Sequence, residues 1–228
     1  MTTDTAIVTG AGQGFGFALT AALAARGTTV IACARDADRL HAATAGLAGV
    51  TALPGDVTDP AFREQLVWAT RGRLDLLVHN AGELGPSPLP RLERYPLDAL
   101  RGVLETTVLA PLALTQLALP LLREAAAPTV VTLSSDAAVE AYEGWGGYGL
   151  AKAALDRMAA VLAVEEPLLR VHAFDPGDMR TAMHQRAFPG EDISDRPEAS
   201  TVVPAFLRLL DDRPASGRHR ATDLPVAG

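Results

Sequence analysis

The chain carries a single cysteine, Cys33, which excludes an intrachain disulfide framework and a cysteine-rich zinc site. No group of His, Asp and Glu has persuasive metal-ligand spacing, so no metal is expected. Positive charge is also scarce. The formal net charge is −7 and the pI about 5.2, which argues against nucleic acid or an anionic membrane as a partner. Long apolar runs are missing. The most apolar stretch, Val108–Leu122, spans fifteen residues and is interrupted by Pro111, Thr115, Gln116 and Pro120. That is too short for a membrane span and reads as a core helix. No targeting segment is apparent, because a strand pattern begins at Thr5 and leaves no room for a basic stretch followed by an apolar core. Together these absences point to a reducing, cytoplasmic setting.

What is present fits one domain over 1–228. Of the 228 residues, 48% are hydrophobic and 21% charged, an ordinary globular balance with enough material for a sizeable core. Short apolar runs at Thr5–Thr9, Thr28–Ala34, Val50–Leu53, Leu74–His79, Thr129–Leu133 and Leu169–Phe174 are near-continuous, as expected for parallel strands covered on both faces. Ala-, Leu- and Arg-rich helical segments separate them: Gly16–Arg26, Asp36–Gly46, Pro60–Arg71, Leu97–Arg123 and Gly147–Glu165. A final helix over Pro197–Leu210 and a short strand near Arg218–Ala221 close the pattern. Such alternation predicts a single-domain Rossmann-type α/β fold, a doubly wound parallel sheet with helices on both faces. Loops at about 82–96, 136–147 and 179–197 are the natural walls of a substrate pocket, since ligands of open α/β sheets sit outside the carboxyl ends of the strands.

Two constellations carry chemistry. Thr9-Gly10-Ala11-Gly12-Gln13-Gly14-Phe15-Gly16 follows the first strand and opens the first helix. Glycines there allow a tight turn and close approach to a pyrophosphate, and the helix start presents free amides. Tyr148 and Lys152 stand one helical turn apart on one face. A phenol near an ammonium ionises more readily than free Tyr, whose reference pKa is about 10. Ser135, thirteen residues before Tyr148 (148 − 135), is a hydroxyl able to bond a substrate oxygen beside that phenol. This is equipment for moving a proton to or from an alcohol or carbonyl oxygen.

With Asp56-Val57, Asn80-Ala81-Gly82, Asp175-Pro176-Gly177 and Thr181 following in order, the chain resembles the short-chain dehydrogenase/reductase family over essentially its whole length. The resemblance implies that Gly10, Gln13, Gly14, Phe15, Gly16, Asp56, Val57, Asn80, Ala81, Gly82, Tyr148, Lys152, Pro176, Gly177 and Thr181 bind a nicotinamide dinucleotide. Asp56 would accept from the adenine amino group, while Asn80 and Pro176 serve either the cofactor or the turns they sit in. It further implies Tyr148 as general acid/base, Lys152 as the group that lowers the Tyr pKa and holds the ribose, and Ser135 as a bond to the reacting oxygen. Arg35 stands where family members that prefer NADP carry a basic residue, and Ala34 where NAD users carry an acid. NADP(H) is therefore favoured, with NAD(H) left open. A homodimer or homotetramer built on Leu97–Arg123 and Gly147–Glu165 is implied as well.

One position departs from the family pattern. Thr107 stands where an Asn helps a water relay protons to the Lys. A main-chain carbonyl at a local helix distortion can do much of that work, and Thr supports distortion by competing for carbonyls one turn back. Around the site, Glu83, Asp136, Tyr142, Trp145, Met179, Met183 and His184 are candidate pocket residues, Phe188 a further apolar one, and Phe188–Pro197 a candidate lid. The expected activity is interconversion of a ketone or aldehyde and an alcohol on a small organic molecule. Thr107 keeps open an isomerase, dehydratase or double-bond reductase, and a catalytically silent cofactor-binding protein is the rival of a different class.

Overall fold

The computed structural model describes residues 4–224. Among these, seven parallel strands form one sheet in the order β3-β2-β1-β4-β5-β6-β7. They are β1 (Thr5–Thr9), β2 (Thr29–Ala34), β3 (Val50–Pro54), β4 (Leu76–His79), β5 (Thr129–Leu133), β6 (Arg170–Asp175) and β7 (Gly217–Arg220). The chain steps outward from β1 through β2 to β3, then returns to β4 on the other side of β1. That reversal opens a crevice above the β1 and β4 carboxyl ends, the place where a doubly wound sheet binds its ligand.

Helices cover both faces. On one lie α1 (Gly14–Ala25), α2 (Ala37–Thr44) and α8 (Ala199–Asp212); on the other lie α3 (Pro60–Ala69), α5 (Ala110–Glu124) and α6 (Gly146–Glu165). α4 (Leu97–Leu104) leads into α5, and a short α7 (Ala182–Ala187) follows β6. Local chemistry sets several starts. Asp36 caps α2 by accepting from the Arg39 amide, and Asp59 caps α3 from Ala61, with Pro60 in the first turn. The first face is anchored by an aromatic triangle. Phe15, Phe174 and Phe206 lie with ring centroids 5.2–6.0 Å apart, joining α1, β6 and α8. This packing fixes where α1 begins, and so where its amides point.

Some expectations need correction. Full coverage holds for β1, β4 and β5 but not for the edges. β3 is only half-buried and β7 partly exposed, because each has one neighbouring strand. The segment after Thr181 contains α7, whose period is too short to read from sequence. The apolar stretch within Val108–Leu122 belongs to a continuous helical run, Leu97–Glu124, with mean hydropathy 1.4 in its most apolar window. By length and composition that run would cross a membrane. In the fold its Leu114, Ala118 and Leu122 are buried against the sheet, as in a core helix.

His79, at the end of β4, is buried, and its Nε2 lies 2.8 Å from the Thr115 hydroxyl of α5. Burial drives its pKa down to about 3. The unfolded chain takes up this proton below about 6.5 and the folded chain does not, so stability from this group is present above pH 6.5 and lost as pH falls toward 3. The slope is about 1.4 kcal/mol per pH unit. Urea unfolding at pH 7 and pH 5 should show His79→Gln losing less stability on acidification than the wild type; equal losses would remove this assignment.

Candidate active site

The crevice above β1 and β4 is a cleft of about 350 Å³. Gly10 and Gly14 adopt φ of +68° and +56°, which side-chain-bearing residues rarely adopt. A Cβ on Gly16 would sit 2.4 Å from the Gly10 carbonyl, so this glycine lets α1 pack onto the loop. Unlike α2 and α3, α1 starts with no side-chain cap, leaving its first amides free toward the cleft. A floor without Cβ atoms and an uncapped helix start fit a pyrophosphate. Asn80 donates its amide to the carbonyls of Thr9 (2.8 Å) and Gly10 (3.0 Å), stitching β4 to the glycine loop. It shapes the loop and also lines the cleft. Gln13, Phe15, Arg35, Asp56, Val57, Ala81, Gly82, Pro176 and Thr181 line it too. The Asp56 carboxylate accepts from the Thr58 amide and hydroxyl, both at 2.9 Å, which orients it.

At the other end of the cleft stand Tyr148 and Lys152. Lys152 is buried, and its Nζ donates to the Leu133 carbonyl at 2.5 Å and lies 5.4 Å from the Tyr148 ring centre. Burial lowers its pKa to about 8, against the pull of Asp156 and Asp175. The expected lowering of the Tyr148 pKa by Lys152 is overturned: burial pushes the phenol well above its usual value. The Ser135 hydroxyl draws it back, and Asp136, Asp175 and Asp178 raise it further. Ser135 donates to Asp136 Oδ1 at 2.9 Å and accepts from the Ala137 amide. The three predicted groups therefore do meet at one wall, drawn from the end of β5 and the first turns of α6.

Residues 4–192 match the model of the short chain dehydrogenase family. The chain belongs to that family. An oxidoreductase of Escherichia coli, YciK, is 32% identical over 217 residues, covering 90% of this chain and 85% of the relative. The crystal structure of a short chain dehydrogenase from Shigella flexneri complexed with NADP superposes with a TM-score of 0.89 at 30% identity, covering 96% of this chain and 97% of that one. One from Escherichia coli complexed with NADPH gives 0.89 and 30%, covering 96% of each. The chain is thus an oxidoreductase of the short-chain dehydrogenase family.

In this short-chain dehydrogenase a second cavity of about 100 Å³ adjoins the cleft beside Tyr148. Asp136, Trp145, Met179, Met183 and His184 line it, together with Leu84, Asp178 and Ala187. The Trp145 ring stands edge-on to Tyr148, with centroids 5.6 Å apart. Tyr142 is half-exposed outside that cavity and donates to Asp136 Oδ2 at 3.0 Å. Phe188 packs behind the wall on Trp145 and His184. Glu83 lines neither cavity: its carboxylate bridges Arg35 at 3.2 Å and Arg186 at 3.3 Å, because two arginines outcompete an apolar pocket for the charge.

Thr107 is fully buried in a π-helical turn, Glu105–Leu109, between α4 and α5. The anticipated helix distortion is present. The hydroxyl, however, accepts from the Glu83 amide at 3.2 Å rather than serving a carbonyl one turn back. A Cβ built on Gly82 would lie 3.8 Å from both Lys152 Nζ and Thr107 Oγ1, so these two face the same spot. Sequence reading missed Arg39, which lines the cofactor cleft with Arg35 and donates to Gln13 at 2.6 Å. Its place after a capping Asp gave no sign of this. Among the described residues no His, Cys, Asp and Glu group could hold a metal.

A buried ammonium is costly for folding. A Lys pKa of about 8 against the usual 10.5 corresponds to a penalty of about 3 kcal/mol, present below pH 8 and relieved as pH climbs toward 10.5. Lys152→Met should therefore raise the urea midpoint at pH 7, with the gap to wild type narrowing above pH 8. A variant less stable than wild type at pH 7 would show that the Leu133 hydrogen bond outweighs the desolvation.

Proposed function

We propose that this enzyme is an NADP(H)-dependent reductase that interconverts a small ketone or aldehyde and the corresponding alcohol. The observation that carries the reading is the convergence of Ser135, Tyr148 and buried Lys152 beside a cavity of about 100 Å³ that opens on a dinucleotide-shaped cleft. The dinucleotide, when bound, supplies or accepts the hydride. The chain's own residues handle the proton. A phenol held above its usual pKa keeps its proton at neutral pH, so Tyr148 is set to donate to a carbonyl oxygen. The Lys152 ammonium favours the phenolate left behind. Ser135 donates to Asp136, and a substrate oxygen would compete for that hydrogen bond. Leu84, Trp145, Met183 and Ala187 provide an apolar wall against the reacting carbon.

Two guanidinium groups at the end of β2 and start of α2, Arg35 and Arg39, support a 2′-phosphate on the cofactor, as do the relatives complexed with NADP and NADPH. The exposed Leu109, Leu112 and Leu117 of the π-turn and α5, with Leu150, Val161 and Val164 of α6, supply apolar surface for a homo-oligomer built on those helices. A cytoplasmic location accords with the single buried thiol, Cys33.

Tyr148→Phe should bind NADPH as wild type does, yet reduce a panel of small ketones and aldehydes ~1,000-fold more slowly, inside the ~100-fold to 10,000-fold range of a positioned proton donor. Retained turnover followed by NADPH absorbance would reject the role. Arg35→Ala and Arg39→Ala should each weaken NADPH about 10-fold while leaving NADH nearly unchanged, as expected for one charge-assisted contact to a phosphate. Equal effects on the two cofactors, by fluorescence titration, would reject the phosphate assignment.

A further inference from the structure

We propose that Arg218, on the last strand, is a positioning residue that holds the catalytic serine's backbone and the loop beyond β6 in register with Lys152. Three consecutive residues leave the carboxyl end of β5, and each is gripped by a different partner. The Leu133 carbonyl accepts from Lys152 Nζ. The Ser134 hydroxyl donates to Asp156 Oδ2 at 2.7 Å, one helical turn beyond Lys152 on α6. The Ser135 carbonyl accepts from Arg218 Nη2 at 3.0 Å.

Arg218 ties these grips together. Its Nε donates to the same Asp156 oxygen at 3.2 Å, and its Nη2 also donates to Asp175 Oδ2 at 2.7 Å. The other Asp175 oxygen accepts from the Gly177 amide at 3.0 Å, at the turn where Gly177 adopts φ +72°. One guanidinium thus links α6, β5, β6 and the loop that lines both cavities. Surface ion pairs contribute little, but this one is largely enclosed, with side-chain exposures of 24% for Arg218, 15% for Asp156 and 5% for Asp175. Its planar fork presents donors in a fixed geometry to three acceptors, where a lysine offers a single rotatable ammonium. The register explains the reach: Arg218 pairs with Ala173 on the sheet face that carries α6. A displacement of Ser135 by a fraction of an ångström would misplace its hydroxyl against the Tyr148 phenol, and reaction geometry is sensitive on that scale.

The kinetic consequence rests on the reductase reading; the positional one does not. In Arg218→Gln, kcat for a reduced carbonyl compound should fall roughly 10-fold to 100-fold with the NADPH dissociation constant within about twofold of wild type. Arg218→Lys should recover part of kcat. Wild-type kcat in Arg218→Gln would overturn the proposal. So would parallel losses of kcat, NADPH affinity and melting temperature that Arg218→Lys does not relieve, since these mark a purely structural ion pair. If Arg218→Gln fails to fold, Asp156→Asn carries the same comparison, because Asn keeps the shape and loses the charge that grips Arg218. Lys152 is the chain's single lysine, so its ε-15N resonance is a readout independent of any substrate. That resonance should shift in Arg218→Gln and in Asp156→Asn, and an unchanged signal would overturn the proposal. Should the wild type reduce nothing on the panel, the reductase reading fails while the resonance still decides the positional claim.

Discussion

The buried Lys152 ammonium donating to the Leu133 carbonyl is the contact on which the active site turns. It fixes the rotation of α6 against the end of β5. That rotation brings Tyr148, one turn earlier, to the wall where Ser135 emerges. The same burial that makes the lysine expensive also gives it a pKa close to working pH, and makes its charge strong in a medium with little water. Stability is given up at the point where charge is most useful.

The other end of the cleft is governed by sterics. Positive-φ glycines, a missing Cβ at Gly16 and the Asn80 amide determine how closely α1 approaches β1 and β4. The Phe15–Phe174–Phe206 cluster then holds α1 from behind. The cofactor cleft and the wall that carries Tyr148 and Lys152 are therefore built from different physics, close backbone packing on one side and a desolvated charge on the other. The loop after β6 borders both, because Pro176, Met179, Thr181 and Met183 line the two cavities. Movement in that loop would be felt at both ends.

Much of this was readable beforehand for specific reasons. Strands such as Thr5–Thr9 and Thr129–Leu133 are short apolar runs bounded by polar turns, and their limits agree to the residue. Tyr148 and Lys152 share a helix face by spacing alone, so their proximity needed no tertiary information. Glu83 was misread as a pocket residue because a carboxylate in a loop carries no mark of its partners; Arg35 and Arg186 come from distant segments. Arg39 and Arg218 were overlooked for a related reason, since arginines after a capping Asp or on an edge strand read as solvated charge. Thr107 signalled a distorted helix but not that its hydroxyl would serve the Glu83 amide.

By itself the sequence determined the alternation of strand and helix, the glycine loop between β1 and α1 and the spacing of serine, phenol and amine. Each of these is a local pattern, fixed by side-chain period or backbone freedom. Only the tertiary structure decided how far Lys152 is desolvated, which arginines border the cofactor cleft and how β7 reaches back to clamp the end of β5. Those depend on neighbours far apart in the chain, and burial and charge pairing are properties of the packed interior rather than of any segment.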